Sequence, residues 1–111
     1  MIEKIIKDYL DEQLSVPVYY EVPDDAPQRY VTLEKTGSGK SNHINNATFA
    51  IQSWAESTYE AAELNELVKE AMDDIVVLDE ISRSALNSDY NFTDVTTKRH
   101  RYQAVYDLVF Y

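Results

Sequence analysis

At Ser57 the hydrophobic period of this chain switches from strand-like to helix-like within a few residues. Upstream, Ala47 to Ala55 alternates, with Phe49 and Ile51 on one face against Ala50, Gln52 and Trp54 on the other. Downstream, Ala61, Leu64, Val68, Ala71 and Ile75 repeat at three and four, with Leu67 and Met72 beside them. Alternation marks a strand that is apolar on one face, and the three-four repeat marks a helix with one apolar stripe. Ser57-Thr58-Tyr59-Glu60 between them is a capping box: the serine oxygen accepts from an early amide and Glu60 reaches back. A strand followed at once by a capped helix over 58–76 demands that sheet and helix share one core. That requirement constrains the whole chain.

The remaining segments fall around this pair. Ile2, Ile5, Ile6, Tyr9, Leu10 and Leu14 lie on one helical stripe, which predicts a first helix that Pro17 ends. Val16–Val22 reads as a strand and Pro23–Pro27 as a loop. Arg29–Lys35 reads as a second strand, with Val31 and Leu33 opposite Tyr30, Thr32 and Glu34. Thr36–Asn46 is polar, holds both glycines, and predicts a long hairpin loop of 11 residues between two strands, beyond the usual length. Glu80–Tyr90 alternates weakly as a strand, and Asn91–Thr97 reads as a turn. Arg101–Tyr111 alternates most strongly, with Tyr102, Ala104, Tyr106, Leu108 and Phe110 on one face. The expectation is an α+β domain over 1–111: a mainly antiparallel sheet of about five strands, two helices on one face, in the order α-β-β-β-α-β-β.

Lys35-Thr36-Gly37-Ser38-Gly39-Lys40-Ser41 imitates the end of a phosphate-binding loop. The full pattern needs a glycine where this chain has Glu34, and a helix directly after Ser41 whose amides face the phosphates. Ser41-Asn42-His43-Ile44-Asn45-Asn46 has no helical period. The stretch therefore reads as a contact loop, with Gly37, Gly39, Lys40 and His43 as its candidate residues and the glycines giving it freedom. A small nucleotide- or ligand-binding domain using this loop is the rival from another functional class.

Charge narrows the function classes. Twenty acidic and ten basic residues give a net charge of −10, which disfavours tight wrapping on nucleic acid. With no cysteine there is neither a disulfide framework nor a thiolate metal site. His43 and His100 lack acidic or histidine partners at metal spacing, Asp24-Asp25 and Asp73-Asp74 lack the oxygen-ligand spacing of a calcium loop, and no Gly-x-Ser-x-Gly elbow is present. These patterns predict no enzyme, metal or cofactor. The opening Met1-Ile2-Glu3-Lys4 lacks a signal-peptide apolar run, and no stretch reaches the roughly 20 apolar residues of a membrane span. The expectation is a soluble protein made inside the cell, with no membrane partner. Lys98-Arg99-His100-Arg101 is the one basic cluster, and Lys98, Arg99 and Arg101 are candidate interface residues for the acidic face of helix 58–76 on a neighbouring copy. Nine tyrosines add amphipathic surface suited to interfaces.

Four stretches, in order, carry a family resemblance. They are Val16-Pro17-Val18-Tyr19-Tyr20-Glu21-Val22-Pro23; Arg29-Tyr30-Val31-Thr32-Leu33-Glu34-Lys35-Thr36-Gly37; Ala50-Ile51-Gln52-Ser53-Trp54-Ala55 with Glu60-Ala61-Ala62-Glu63-Leu64; and Arg101-Tyr102-Gln103-Ala104-Val105-Tyr106-Asp107-Leu108. Together they resemble the small tail-completion proteins of long-tailed bacteriophages. This is the tail terminator group, which includes small minor capsid proteins of phages and prophages of Gram-positive bacteria. The resemblance implies an α+β virion protein, made in the host bacterial cytoplasm, that forms a hexameric ring on the head-proximal end of the tail tube. It implies itself, the tail tube protein and a head-completion protein as partners, with DNA passing through the ring without specific binding. It brings no catalytic residues. A neighbouring head–tail neck or minor capsid component is the alternative within the same class.

Overall fold

The computed structural model describes Met1–Tyr111 and contains two α-helices and one five-stranded sheet. The elements are α1 (Ile2–Gln13), β1 (Val18–Tyr19), β2 (Tyr30–Ser41), β3 (Ile44–Ala55), α2 (Thr58–Asp73), β4 (Ile81–Asn91) and β5 (His100–Phe110), with a 3-10 turn at Ile75–Val77. The sheet order is β1-β2-β3-β5-β4. All neighbours are antiparallel except β1 and β2, which run parallel from Val18 opposite Val31. The α+β class and the element order match the sequence reading.

Both helices lie on one face of the sheet. α1 presents Ile2, Ile6, Tyr9 and Leu10 to the core, and α2 presents Ala61, Leu64, Val68, Ala71 and Met72. They cover Val31 and Leu33 of β2, Phe49 and Ile51 of β3, and Ala104, Tyr106 and Leu108 of β5 in one continuous cluster. Ser57 caps α2 as the sequence requires, its hydroxyl oxygen accepting from the Glu60 amide at 3.2 Å. α1 is tied to α2 where the Tyr9 hydroxyl donates to the Ala71 carbonyl at 2.8 Å. Tyr106 does the same for sheet and helix, donating to the Asp73 carboxylate at 2.9 Å and approaching the Lys69 carbonyl at 3.2 Å. Burial first, and the Asp73 contact second, push the Tyr106 hydroxyl far above its ordinary pKa.

Three expectations are corrected. The long hairpin loop Thr36–Asn46 does not exist: Thr36–Ser41 and Ile44–Asn46 continue β2 and β3, and the chain reverses at Asn42-His43. Both turn residues have positive φ, 51° and 67°, which fits the mirror-image turns whose twist matches a hairpin. Gly37 and Gly39 are extended strand residues without positive φ, so they are not the source of loop freedom. The reason lies in burial. Glu34–Ser41 is solvated because β1 pairs only with Val31 and Thr32, which leaves this stretch as the outer edge of the sheet, so no apolar alternation marks it as a strand. A bulge between Lys35 and Gly37 adds to the disguise. Second, strand Val16–Val22 shrinks to Val18–Tyr19, because Tyr20, Glu21 and Val22 leave the sheet edge and line a depression with Thr32, Glu34 and Gln52. Third, helix 58–76 ends at Asp73, and Ile75 enters the core from the 3-10 turn instead.

Two predictions follow from the polar groups of the sheet. The Ser53 hydroxyl is fully buried without a hydrogen-bond partner, so Ser53→Ala removes an unsatisfied group. Denaturant unfolding of that variant is expected to show stability unchanged or raised by up to about 1 kcal/mol; a loss of that size contradicts the packing described. Asp107 accepts from the Asn87 amide at 3.0 Å and the Thr48 hydroxyl at 2.7 Å, which holds its carboxyl below the ordinary carboxylate pKa. A depressed folded pKa stabilises above the unfolded value and is lost as pH falls through the folded one. The stability gap between the protein and Asp107→Asn should therefore narrow as pH drops below about 4, and a gap that stays constant to pH 2 refutes the assignment.

Candidate functional site

The face of the sheet away from the helices carries side chains from alternate positions of β2, β3, β5 and β4. At one end they form an aromatic and cationic row. Tyr19 meets Tyr30 edge-on at 6.0 Å, and Tyr30 stacks on Trp54 at 5.5 Å with the planes 7° apart. Arg101 stands opposite Trp54 in the β3–β5 ladder, its guanidinium 4.8 Å from the Trp54 ring and 4.3 Å from the Phe92 ring. Its Nε donates to the Phe92 carbonyl at 2.7 Å, and Arg99 adds a second cation 5.7 Å from Trp54. Tyr90 closes the row against Phe92 at 5.8 Å. A cation between two ring faces is held by their quadrupoles, so Arg101 is fixed in place. Burial raises the Tyr30 pKa, and the two arginines partly offset that.

Beneath this row runs a chain of hydrogen bonds across four strands. The Trp54 indole donates to the Thr32 hydroxyl at 3.1 Å, and that hydroxyl donates to the Gln52 carbonyl oxygen at 3.1 Å. The Gln52 amide donates to Gln103 at 2.8 Å, and the Gln103 amide to the Tyr90 hydroxyl. Each member fixes the next, so the aromatic row sits on a rigid platform.

The turn between β4 and β5 presents the cations. The Asp94 carboxylate accepts from the Thr96 amide at 3.0 Å and the Thr97 amide at 3.4 Å, which depresses its pKa. Asp94 and Arg99 exchange backbone bonds at 3.2 and 3.3 Å. Lys98, with φ 55°, occupies the left-handed region that this closure requires. Lys98, Arg99 and His100 then flank an open depression of about 240 Å³ with Ala26, Pro27 and Trp54. His100 Nδ1 lies 3.1 Å from the Thr58 hydroxyl at the start of α2. No carboxylate hydrogen-bonds the other ring nitrogen, so the pair lacks the orienting third group of an activated nucleophile. No group of three or more His, Asp or Glu side chains is placed to hold a metal ion. No helix is long and apolar enough to cross a membrane.

The predicted site residues divide between the two ends of the sheet. Lys98, Arg99 and Arg101 cluster at the Trp54 end, with Arg101 turned inward onto the rings. Gly37, Gly39, Lys40 and His43 lie on the hairpin at the other end, where Asn45 faces Phe110. The length of β3 separates the groups by roughly 35 Å, so they form no common site. The hairpin offers no helix N-terminus to a phosphate, since Ser41 leads through the turn directly into β3. Tyr30, Trp54, Phe92 and Tyr90 form a row that sequence reading missed. Alternation placed Tyr30 and Trp54 on the outward faces, but their adjacency depends on a register set by the unseen turn at Asn42-His43. No protein-family model matches the chain, and no curated protein matches it.

Trp54 is the only tryptophan, so its fluorescence reports the platform directly. Arg101→Ala should shift the emission spectrum and cost about 1 kcal/mol of stability, whereas an unchanged spectrum contradicts the stacking.

Proposed function

We propose that this protein is a tail terminator of a long-tailed phage or prophage: a non-enzymatic virion component that caps the head-proximal end of the tail tube as a ring, stops its polymerisation and joins tail to head. The observation that carries the reading is the order of the four resembling stretches within one fold. They occupy β1 and the edge-crossing segment after it, β2 with the start of the hairpin, β3 running into α2, and β5. The α+β class is the one that the resemblance implies, and it supports the reading.

Surface features are consistent with an assembling role. The molecule is elongated, with a long axis of 44 Å against 25 and 24 Å, and the turn at Asn42-His43 lies at one end of its long strands β2 and β3. Where the sequence predicted a loop, β2 and β3 continue as sheet, with β3 paired to β5 as far as Asn45, so that only the Ser41–Ile44 tip projects for contact with a tube or a neighbour. The outer edge of β2 beyond Thr32 has no strand partner, because β1 pairs only with Val31 and Thr32. At a net charge of −10 the protein repels phosphates, which suits a passage for DNA without capture.

The test is tube polymerisation. Tail tube protein of the same phage or prophage is allowed to assemble with and without this protein, and growth is followed by light scattering. Arrest at substoichiometric amounts is expected, because one ring closes one end. Unaltered growth at equimolar protein contradicts the reading.

A further inference from the structure

Two exposed apolar surfaces with opposite charge flank opposite halves of α2. The first is the β4–β5 turn. Val95 is 83% exposed and Phe92 40%, and in the same turn Lys98 and Arg99 line a depression with Ala26 and Pro27. The ion pairs of the molecule occupy Lys4, Lys7, Arg29, Lys35 and Lys69. Of the ten basic residues this leaves Lys40, Arg83, Lys98, Arg99 and Arg101 without a carboxylate. Three of those five sit in or next to this turn.

The second surface lies where α1 ends against the last turns of α2. Leu67 is 50% exposed, Val76 47% and Val77 74%. Two adjoining depressions run between them, sharing Gln13 and Asp74, with Leu14 and Ala71 on the wall and Glu70 on the rim. Glu70 and Asp74 enter no ion pair. Aliphatic side chains grouped in this way and rimmed by charge mark an interaction surface.

We propose that these two surfaces are the halves of one contact: the Lys98–Arg99 corner of one copy seats on the Leu67–Val77 groove of the next, its cations against Glu70 and Asp74. Within one chain the halves cannot meet. His100 touches Thr58 at the first residue of α2, while the groove starts near Leu67 and extends past Asp73. Each copy therefore carries an unsatisfied corner and an unsatisfied groove, and a neighbour supplies both. Different patches in contact make a heterologous interface, which propagates and closes into a ring when the rotation permits. The apolar parts supply area and the charged rims set the orientation. A strongly acidic chain otherwise repels its own copies, so the few unpaired cations gathered at one corner determine where a second copy can approach. Arg101 is not part of the contact, since Trp54 and Phe92 already hold it. The proposal rests on reading the protein as ring-forming and names the surfaces that would make the ring.

Paired charge reversals test it. Sedimentation velocity up to about 1 mM protein should show species beyond a dimer. Lys98→Glu/Arg99→Glu and Glu70→Lys/Asp74→Lys should each weaken assembly at least about tenfold while circular dichroism and melting temperature stay near those of the parent. An equimolar mixture of the two variants should assemble again, because each reversed corner then meets a reversed groove. A parent that is strictly monomeric, a closed dimer, reversals without effect, or a mixture that stays apart overturns the contact. So does loss of binding to a labelled single-stranded oligonucleotide in Lys98→Glu/Arg99→Glu with assembly intact, which would assign the corner to polyanions. Tube arrest is read separately. Arrest that survives both reversals with assembly unchanged sinks the contact and leaves the terminator reading. Head-to-tail assembly without arrest does the opposite.

Discussion

The antiparallel pairing of β3 with β5, continuous from Asn45 opposite Phe110 to Ala55 opposite His100, holds the rest of the molecule in place. On one face it aligns Phe49 and Ile51 with Tyr106 and Ala104 as the floor under both helices. On the other it sets Trp54 beside Arg101 and Gln52 beside Gln103. A shift by one residue would exchange the two faces, placing Arg101 and Gln103 in the core and Tyr106 in water. The aromatic row, the hydrogen-bond chain and the packing of α2 through Tyr106 all depend on that register.

The two ends of this ladder carry different groups. At the Trp54 end the sheet is locked by stacked rings and a sandwiched guanidinium, and the turn above it is closed by Asp94. At the other end β2 is an uncovered polar edge strand that turns at Asn42-His43 into β3, itself paired with β5 as far as Asn45. The groove beside Leu67 and Val77 arises because α2 ends at Asp73 and the 3-10 turn swings Ile75 inward, leaving Val76 and Val77 outside. Burying one apolar residue of three in that turn leaves a surface that a partner can cover.

How far the sequence could be read follows from where side chains meet water. α2 was legible because Ser57 and Glu60 cap a helix whose apolar residues all face one core. β5 was legible because Ala104, Tyr106 and Leu108 alternate with half-buried neighbours. The hairpin was not, because residues from Thr36 to Ser41 bury neither face and so carry no period. Missing the turn at Asn42-His43 also hid the register, and with it the meeting of Tyr30, Trp54 and Arg101. The basic cluster was visible as a charge run, yet only cross-strand geometry separates Arg101, held between two rings, from Lys98 and Arg99, which stay exposed although Arg99 lies 5.7 Å from Trp54. Gly37 and Gly39 suggested a mobile loop; the left-handed positions belong instead to Asn42 and His43.

We propose that a protein with this sheet platform and a polar β2–β3 edge works through its surfaces. Electron cryomicroscopy of tail tubes assembled with the protein tests that account most directly. The account predicts a closed ring of copies on one end of each tube, with neighbouring copies joined through the β4–β5 turn and the groove at the end of α2. Tube ends without the protein, or copies scattered along the tube wall, would contradict it.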